Sequence, residues 1–358
     1  MRPALPAPYL PHELPRVTDG LPRVPGRLRV HVDDFEVSEI PAYEPAGTGE
    51  HTFVQIEKRD LTTPEAVERL ARALGVDPRA AGWAGLKDRR ARTVQWVSLH
   101  GADAARARGL VLDGVRVLDA APHPTRLRTG HLRGNRFRLV VRGTPAGRID
   151  DARRCLDRLQ DVGMPAYFGE QRFGLSGDNA ARALEWVSGR ARPPRSPFHR
   201  KLGASALQAA LFNHIVADRV RRGALAEVCD GALLRKEDTG GLFASCAPEV
   251  DQARADAWEV SPTGPMFGPK MRWPERAAGA AERALLERAG LDEAALARLG
   301  RAAPGTRRPV RVRPTEVAIE PVEREDALRV SFTLPSGSYA TVLMRELLMD
   351  DPPATSEG

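Results

Sequence analysis

The chain has 358 residues, 42% hydrophobic and 28% charged, a balance that excludes a disordered chain and a membrane-embedded one. Its length calls for two hydrophobic cores, or one core with a large insert. A formal net charge of +7 favours a polyanionic partner, nucleic acid ahead of a membrane surface.

No run approaches the roughly 20 apolar residues of a bilayer span, and the prolines of MRPALPAPYLPHELPR interrupt any signal-peptide core, so a cytoplasmic protein is expected. Cys155, Cys229 and Cys246 lack the short paired spacing of a zinc site and read as buried thiols; no metal is indicated.

Residues 1–26 are proline-rich and aperiodic, which predicts an irregular arm. The alternation of Leu28, Val30 and Val32 in RLRVHV, then FEVSEI and HTFVQIEKR, predicts strands with one buried face. TTPEAVERLARALG predicts a helix with Thr63 as its cap, Pro64 at its first helical position, and Val67, Leu70, Ala71 and Leu74 on one face. Gly75 ends it. Next, WAGLKDRRARTVQWVSLH runs from a glycine turn through a basic stretch into a strand, which sets Asp88 at a loop-to-strand edge. VRVLDA, NRFRLVVRG and ALRVSFTLP are strand-like, and SYATVLMRELL is helical. Between about Gly163 and Arg308, amphipathic stretches such as ALQAALFNHIVADRVRR predict a helical insert.

In GLKDRRARTVQ one acid, Asp88, lies among Lys87, Arg89, Arg90 and Arg92, and nearby positive charge favours its ionised form. A solvated basic turn with an incidental aspartate fits the same local charge. GMPAYFGEQRFGLSGDN sets Tyr167, Phe168 and Phe173 around Arg172, a composition that suits unstacked RNA bases and suits a core turn equally. In GNRFRLVVRG, Asn135 offers a base edge both a donor and an acceptor, and Phe137 falls on the same side of the strand.

Taken in order, GLKDRRARTVQ, GNRFRLVVRG, GMPAYFGEQRFG, LFNHIVADR, GPMFGPKM and PSGSYATVLMREL resemble the TruD family of tRNA pseudouridine synthases across roughly Arg27 to Leu348. The resemblance implies an α+β pseudouridine synthase fold, a mixed or antiparallel sheet built from both chain ends (27–162 and 309–358) around a helix-rich inserted domain at 163–308. It implies that Asp88 is the nucleophilic aspartate, and that Phe35, Asn135 and Tyr339 contact the target nucleotide. Phe137 matches the ring that other pseudouridine synthases supply as tyrosine. Tyr339 departs from the family's phenylalanine by one hydroxyl, which keeps the ring for stacking.

The implied reaction breaks the N1–C1′ bond of a uridine, at position 13 of tRNA, and forms a C5–C1′ bond, so no cofactor is needed. It needs a carboxylate able to attack sugar or base or to steer proton removal from the ribose. A fixed cation must hold that carboxylate ionised, and Arg29, Lys87 and Arg345 are the candidates. The partner is tRNA, with the insert as a clamp over it, and no obligate protein partner is evident.

Two other readings compete. A module that grips structured RNA without chemistry would use the same basic runs and rings. A magnesium-dependent nuclease would use Asp33, Asp34 and Glu36, although their alternation puts those acids on mixed faces.

Overall fold

A computed structural model of the chain describes residues 4–174 and 176–350. The first three residues of the proline-rich arm and the last eight of the C-terminal part lie outside them. The chain divides into two compact units, one of residues 22–156 and 314–358, the other of residues 1–21 and 157–313.

The first segment of the sheet unit contains β1 (Phe35–Pro41), β2 (His51–Arg59), α1 (Thr63–Leu74), β3 (Gly82–Trp83), β4 (Arg92–His100), α2 (Ala104–Ala107), β5 (Val111–Leu112), β6 (Val115–His123) and β7 (Leu132–Arg142). Helix α3 (Ile149–Val162) carries the chain across the division. The second unit holds β8 (Met164–Pro165), α4 (Asn179–Val187), α5 (Pro197–Arg221), β9 (Leu233–Lys236), β10 (Leu242–Ala244), α6 (Pro248–Asp256), β11 (Val260–Met266), α7 (Arg276–Arg288), α8 (Glu293–Ala297), β12 (Thr306–Pro309) and β13 (Arg311–Val312). The chain then returns to the first unit as β14 (Thr315–Pro321), β15 (Ala327–Pro335) and α9 (Ala340–Leu347).

The sheet unit is one nine-stranded sheet ordered β14-β15-β7-β1-β4-β2-β6-β5, with β3 on β4. Only the β1–β4 pairing is parallel among these strands. Both chain ends therefore build one mixed sheet, the α+β architecture expected from the sequence.

Helix α1 buries Ala66, Val67, Leu70, Ala71 and Leu74 in a cluster with Val54 and Ile56 of β2 and Val97 and Leu99 of β4. Gly75 ends it in the left-handed conformation, φ 74°. Its cap is Thr62, one residue earlier than the sequence suggested. Thr62 Oγ1 accepts from Glu65 N, and Glu65 Oε2 accepts from Thr62 N, at 3.3 and 2.7 Å. Thr63 is thereby freed to point elsewhere.

Residues 28–31 are not a strand, contrary to the alternation of RLRVHV. Arg29 takes φ 60°, a left-handed conformation that no strand sustains, and Val30 is 42% exposed. The arm is irregular, with a short 3-10 turn at Pro11–Glu13, yet it is anchored within its own unit. Asn213 Nδ2 donates to Tyr9 O at 2.9 Å, the Tyr167 hydroxyl donates to Pro15 O at 3.2 Å, and Tyr9 packs edge-on to Phe173.

The second unit is helix-rich but not wholly helical: β10-β9-β11-β12 form a sheet and β8 pairs with β13. Its core joins Trp186, Leu207, Leu211, Phe267, Leu285 and Leu296. A buried ion pair ties α7 to β12, with both Arg307 terminal nitrogens 2.7 Å from Glu282 oxygens. The thiols differ in burial, Cys155 being buried and Cys246 exposed. No described helix is long and apolar enough to cross a membrane.

Glu282→Ala strips the buried Arg307 of both carboxylate contacts, so urea unfolding should show a loss of about 3–5 kcal/mol. A loss under about 1 kcal/mol would mean that the guanidinium finds water.

Candidate active site

Sheet register determines which residues share a face. On β1, Phe35, Val37 and Glu39 occupy the buried phase, and Val37 and Glu39 stand directly opposite Phe137 and Asn135 of β7. Phe137 in turn stands opposite Phe332 of β15. Across the other edge of β1, Val37 meets Thr93 of β4, and Thr93 and Gln95 meet Lys58 and Ile56 of β2. Directly opposed residues lie on one side of a sheet. Four strands, β2, β4, β1 and β7, thus place Lys58, Gln95, Glu39, Asn135 and Phe137 on a single face.

Asp88 belongs to the loop between β3 and β4, four residues before β4 begins. Buried polar side chains hold that loop on the face. Gln95, fully buried, donates from Nε2 to Gly85 O at 3.3 Å, while its Oε1 accepts from Thr63 Oγ1 at 2.8 Å. Thr63 Oγ1 also accepts from Lys87 N at 3.1 Å, the contact left open by the cap at Thr62. Lys87 Nζ bonds Glu39 Oε2 at 2.8 Å. Lys58 Nζ donates to Asp88 O at 2.8 Å and to Leu61 O at 2.6 Å. A loop laid against a sheet must have its backbone groups satisfied in this way or forfeit stability.

The Asp88 carboxylate is 18% exposed and Oδ2 accepts from Arg29 Nη2 at 3.0 Å. Arg29 itself is nearly buried, with its guanidinium carbon 4.0 Å from the Phe35 ring centroid. Phe35 meets Phe137 edge-on at 6.4 Å, and Phe137 stacks on Phe332 at 5.2 Å. Phe35, 1% exposed, is therefore a floor under Arg29 and offers no open face. The left-handed backbone of Arg29 costs of order 1–3 kcal/mol, held here by the packing of its own side chain.

Burial raises Asp88 above its ordinary 3.8, and Arg29, Lys58 and Lys87 pull it back only in part. The basic run around Asp88 predicts a lowered value, but burial, which a sequence does not display, is the larger effect and has the opposite sign. Burial also lowers Arg29, against the pull of Asp88. Burial lowers Lys58 to about 8, again opposed by Asp88.

Of the three candidate cations, Arg29 is the ion-pair partner of Asp88 among the described residues. Lys87 is committed to Glu39, and Arg345 lies in the last turn of α9. Asn135 Oδ1 is buried and has no hydrogen-bond partner among the described residues. Tyr339 is half-buried at the N-cap of α9. Leu334 at the end of β15 stands opposite Asn135, and Ser336 N donates to Arg133 O, which brings the turn into α9 to the Asn135 end of the sheet.

Lys58 and Glu39 went unremarked in the sequence, although a signal was there. Lys58 follows Val54 and Ile56, and Glu39 follows Phe35 and Val37, at strand positions whose phase is buried. A charge on the apolar phase of a strand marks a buried contact.

The rings of GMPAYFGEQRF are core: Tyr167, Phe168 and Phe173 are 2%, 6% and 1% exposed in the second unit. The three acids near β1 are held by different arginines, Asp33 by Arg59, Asp34 by Arg142 and Glu36 by Arg92. They do not converge.

The sequence profile described as tRNA pseudouridine synthase D (TruD) matches residues 16–181 and 197–347. This chain belongs to the TruD family. A tRNA pseudouridine synthase D of Anaeromyxobacter dehalogenans (strain 2CP-1) is 47% identical over 340 residues, 94% of this chain and 96% of that one. One from Thermus thermophilus is 42% identical over 342 residues, 95% and 93% of the two chains. The crystal structure of a Methanosarcina mazei protein assigned to tRNA pseudouridine synthase D superposes with a TM-score of 0.74 at 22% identity, over 94% of this chain and 96% of that one, and shows the shared fold. The TruD match covers the Asp88 loop and every tether described above, and it leaves 182–196 unmatched.

A carbon-13 carboxyl titration should place Asp88 above 3.8 in the free protein. Arg29→Met should shift the midpoint further up, because it deletes the largest of the lowering influences while burial persists. An unchanged midpoint would remove Arg29 as the stabilising cation.

Proposed function

We propose that the chain isomerises uridine to pseudouridine in tRNA, at position 13, with Asp88 as the carboxylate that acts on a uridine turned out of its stack. The observation that carries this reading is the Asp88–Arg29 pair, a mostly buried carboxylate bonded at 3.0 Å to a nearly buried guanidinium. Hiding a charge pair from water is expensive. The Arg307–Glu282 pair is buried for structure alone, whereas Asp88 keeps 18% of its side chain open and its loop lies on the sheet face that carries Asn135, which suits a carboxylate that must meet a substrate.

The surrounding groups fit a flipped uracil. Asn135 supports the reading through its unpartnered Oδ1, which would accept from the N3–H of the base, while the amide nitrogen would donate to a base carbonyl. Phe137, stacked on Phe332, backs that amide from the sheet face, Tyr339 is the half-buried ring that would stack on the base, and Phe35 holds Arg29 rather than the base itself. Extruding the base costs a few kcal/mol, offset by stacking and by these hydrogen bonds. The net change is N1–C1′ broken and C5–C1′ formed, with a proton lost at C5 and one gained at N1. No electrons leave the substrate. Lys87 positions the loop through Glu39. The activity is placed in the cytoplasm with tRNA as partner, and Lys58 acts through the Asp88 backbone.

The test is nucleotide-resolved pseudouridine mapping on tRNA incubated with the protein. The wild type should mark position 13 and remain active in chelator. Asp88→Asn should lower turnover roughly a thousandfold or more, with tRNA affinity changed only a few-fold because a single charge is altered. Substantial turnover by Asp88→Asn would remove that residue from the chemistry.

A further inference from the structure

The stretch from Arg190 to Lys201 in the second unit, RARPPRSPFHRK, carries five cations and no acid in twelve residues, against a net charge of +7 for all 358. All five cations are exposed. Elsewhere in this unit some exposed arginines are neutralised by a carboxylate, as Arg182 is by Asp178, Arg222 by Asp218 and Arg276 by Asp230. Within the stretch, among the described residues, only Arg190 is, by Glu185. Arg200 is used on the backbone, donating to Pro194 O and Arg195 O at 2.7 and 3.1 Å, which pins the turn. Arg192, Arg195 and Lys201 pair with no carboxylate among the described residues.

At the start of α5, among these cations, Phe198 is 69% exposed, its ring edge-on to His199 at 5.4 Å. One exposed ring on a surface needs no explanation. A ring framed by unneutralised cations is different, since a base can stack on the ring while the cations take the flanking phosphates. Pro193, Pro194 and Pro197 restrict the backbone, so the groups are presented with little further ordering on binding. Residues 182–196 fall outside the TruD match, so family membership does not account for Arg190, Arg192 and Arg195.

We propose that Arg190–Lys201 is an RNA-docking surface, in which Phe198 stacks on an unpaired base of the tRNA and Arg192, Arg195 and Lys201 hold neighbouring phosphates. The identity of the RNA rests on the proposed function. The density of unpaired positive charge favours a polyphosphate over a protein surface, because each phosphate contact releases condensed counterions.

The test measures the affinity of the full chain for a tRNA transcript over a range of salt. The triple variant Arg192→Gln, Arg195→Gln, Lys201→Gln should bind more weakly and lower the slope of log affinity against log salt by about 2 to 3. Phe198→Ala should weaken binding roughly fivefold to a hundredfold with the slope unchanged, and Phe198→Trp should restore it. Affinity and slope equal to wild type in both the triple variant and Phe198→Ala would overturn the proposal, as would capture of an acidic protein with no effect on tRNA. Pseudouridine formation by the wild type on the same transcript separates the two readings. If the variants bind poorly and the wild type forms no pseudouridine, the surface stands and the catalytic reading falls; if the wild type is active and the variants bind normally, the surface alone falls.

Discussion

A carboxylate kept ionised while most of its surface is withdrawn from water must have a cation fixed beside it, or it takes up a proton. That constraint links the features of the sheet unit. Arg29 supplies the cation at 3.0 Å, its guanidinium rests on Phe35, and Phe35 leans on Phe137, which stacks on Phe332. Three strands, β1, β7 and β15, thus hold one charge in place. The left-handed turn at Arg29 ends the extended run before β1 and sends the side chain to that spot.

The loop bearing Asp88 is fixed by a second set of contacts, each using a polar side chain where the strand phase would ordinarily place an apolar one. Lys58, Gln95 and Glu39 satisfy or anchor the backbone and Lys87. Rigid placement matters because a misplacement of about 1 Å can cost a hundredfold in rate. Asp88 remains 18% exposed, and Arg29 bonds one of its two carboxylate oxygens, Oδ2.

The sequence revealed much of this, and the misses have physical causes. Helix α1 was legible because Val67, Leu70, Ala71 and Leu74 repeat at helical spacing between a capping box and Gly75. Its cap lies one residue before the position the spacing suggests, because Thr62 and Thr63 both precede Pro64 and only the reciprocal contact with Glu65 distinguishes them. RLRVHV alternates like a strand, but alternation carries no information about the φ of Arg29. The sheet of the second unit escaped because β11 reads VSPTGPM, with two prolines and a glycine where strands are usually β-branched. The assignment of Asp88 and Asn135 to the site rests on family-like motifs, since local charge fits an incidental aspartate equally well. Lys58 and Glu39 were readable from strand phase alone. The choice of Arg29 over Lys87 and Arg345 was not, because it depends on contacts between residues 59 positions apart.

The most direct test of the account is the structure of the protein bound to a tRNA whose target uridine is replaced by an unreactive analogue. The account predicts the nucleotide out of its stack, its reacting sugar or base carbon about 3–3.5 Å from an Asp88 carboxylate oxygen, its base edge on the Asn135 amide, and Arg29 still paired with Asp88. A target nucleotide bound elsewhere, with Asp88 and Asn135 untouched, would contradict it.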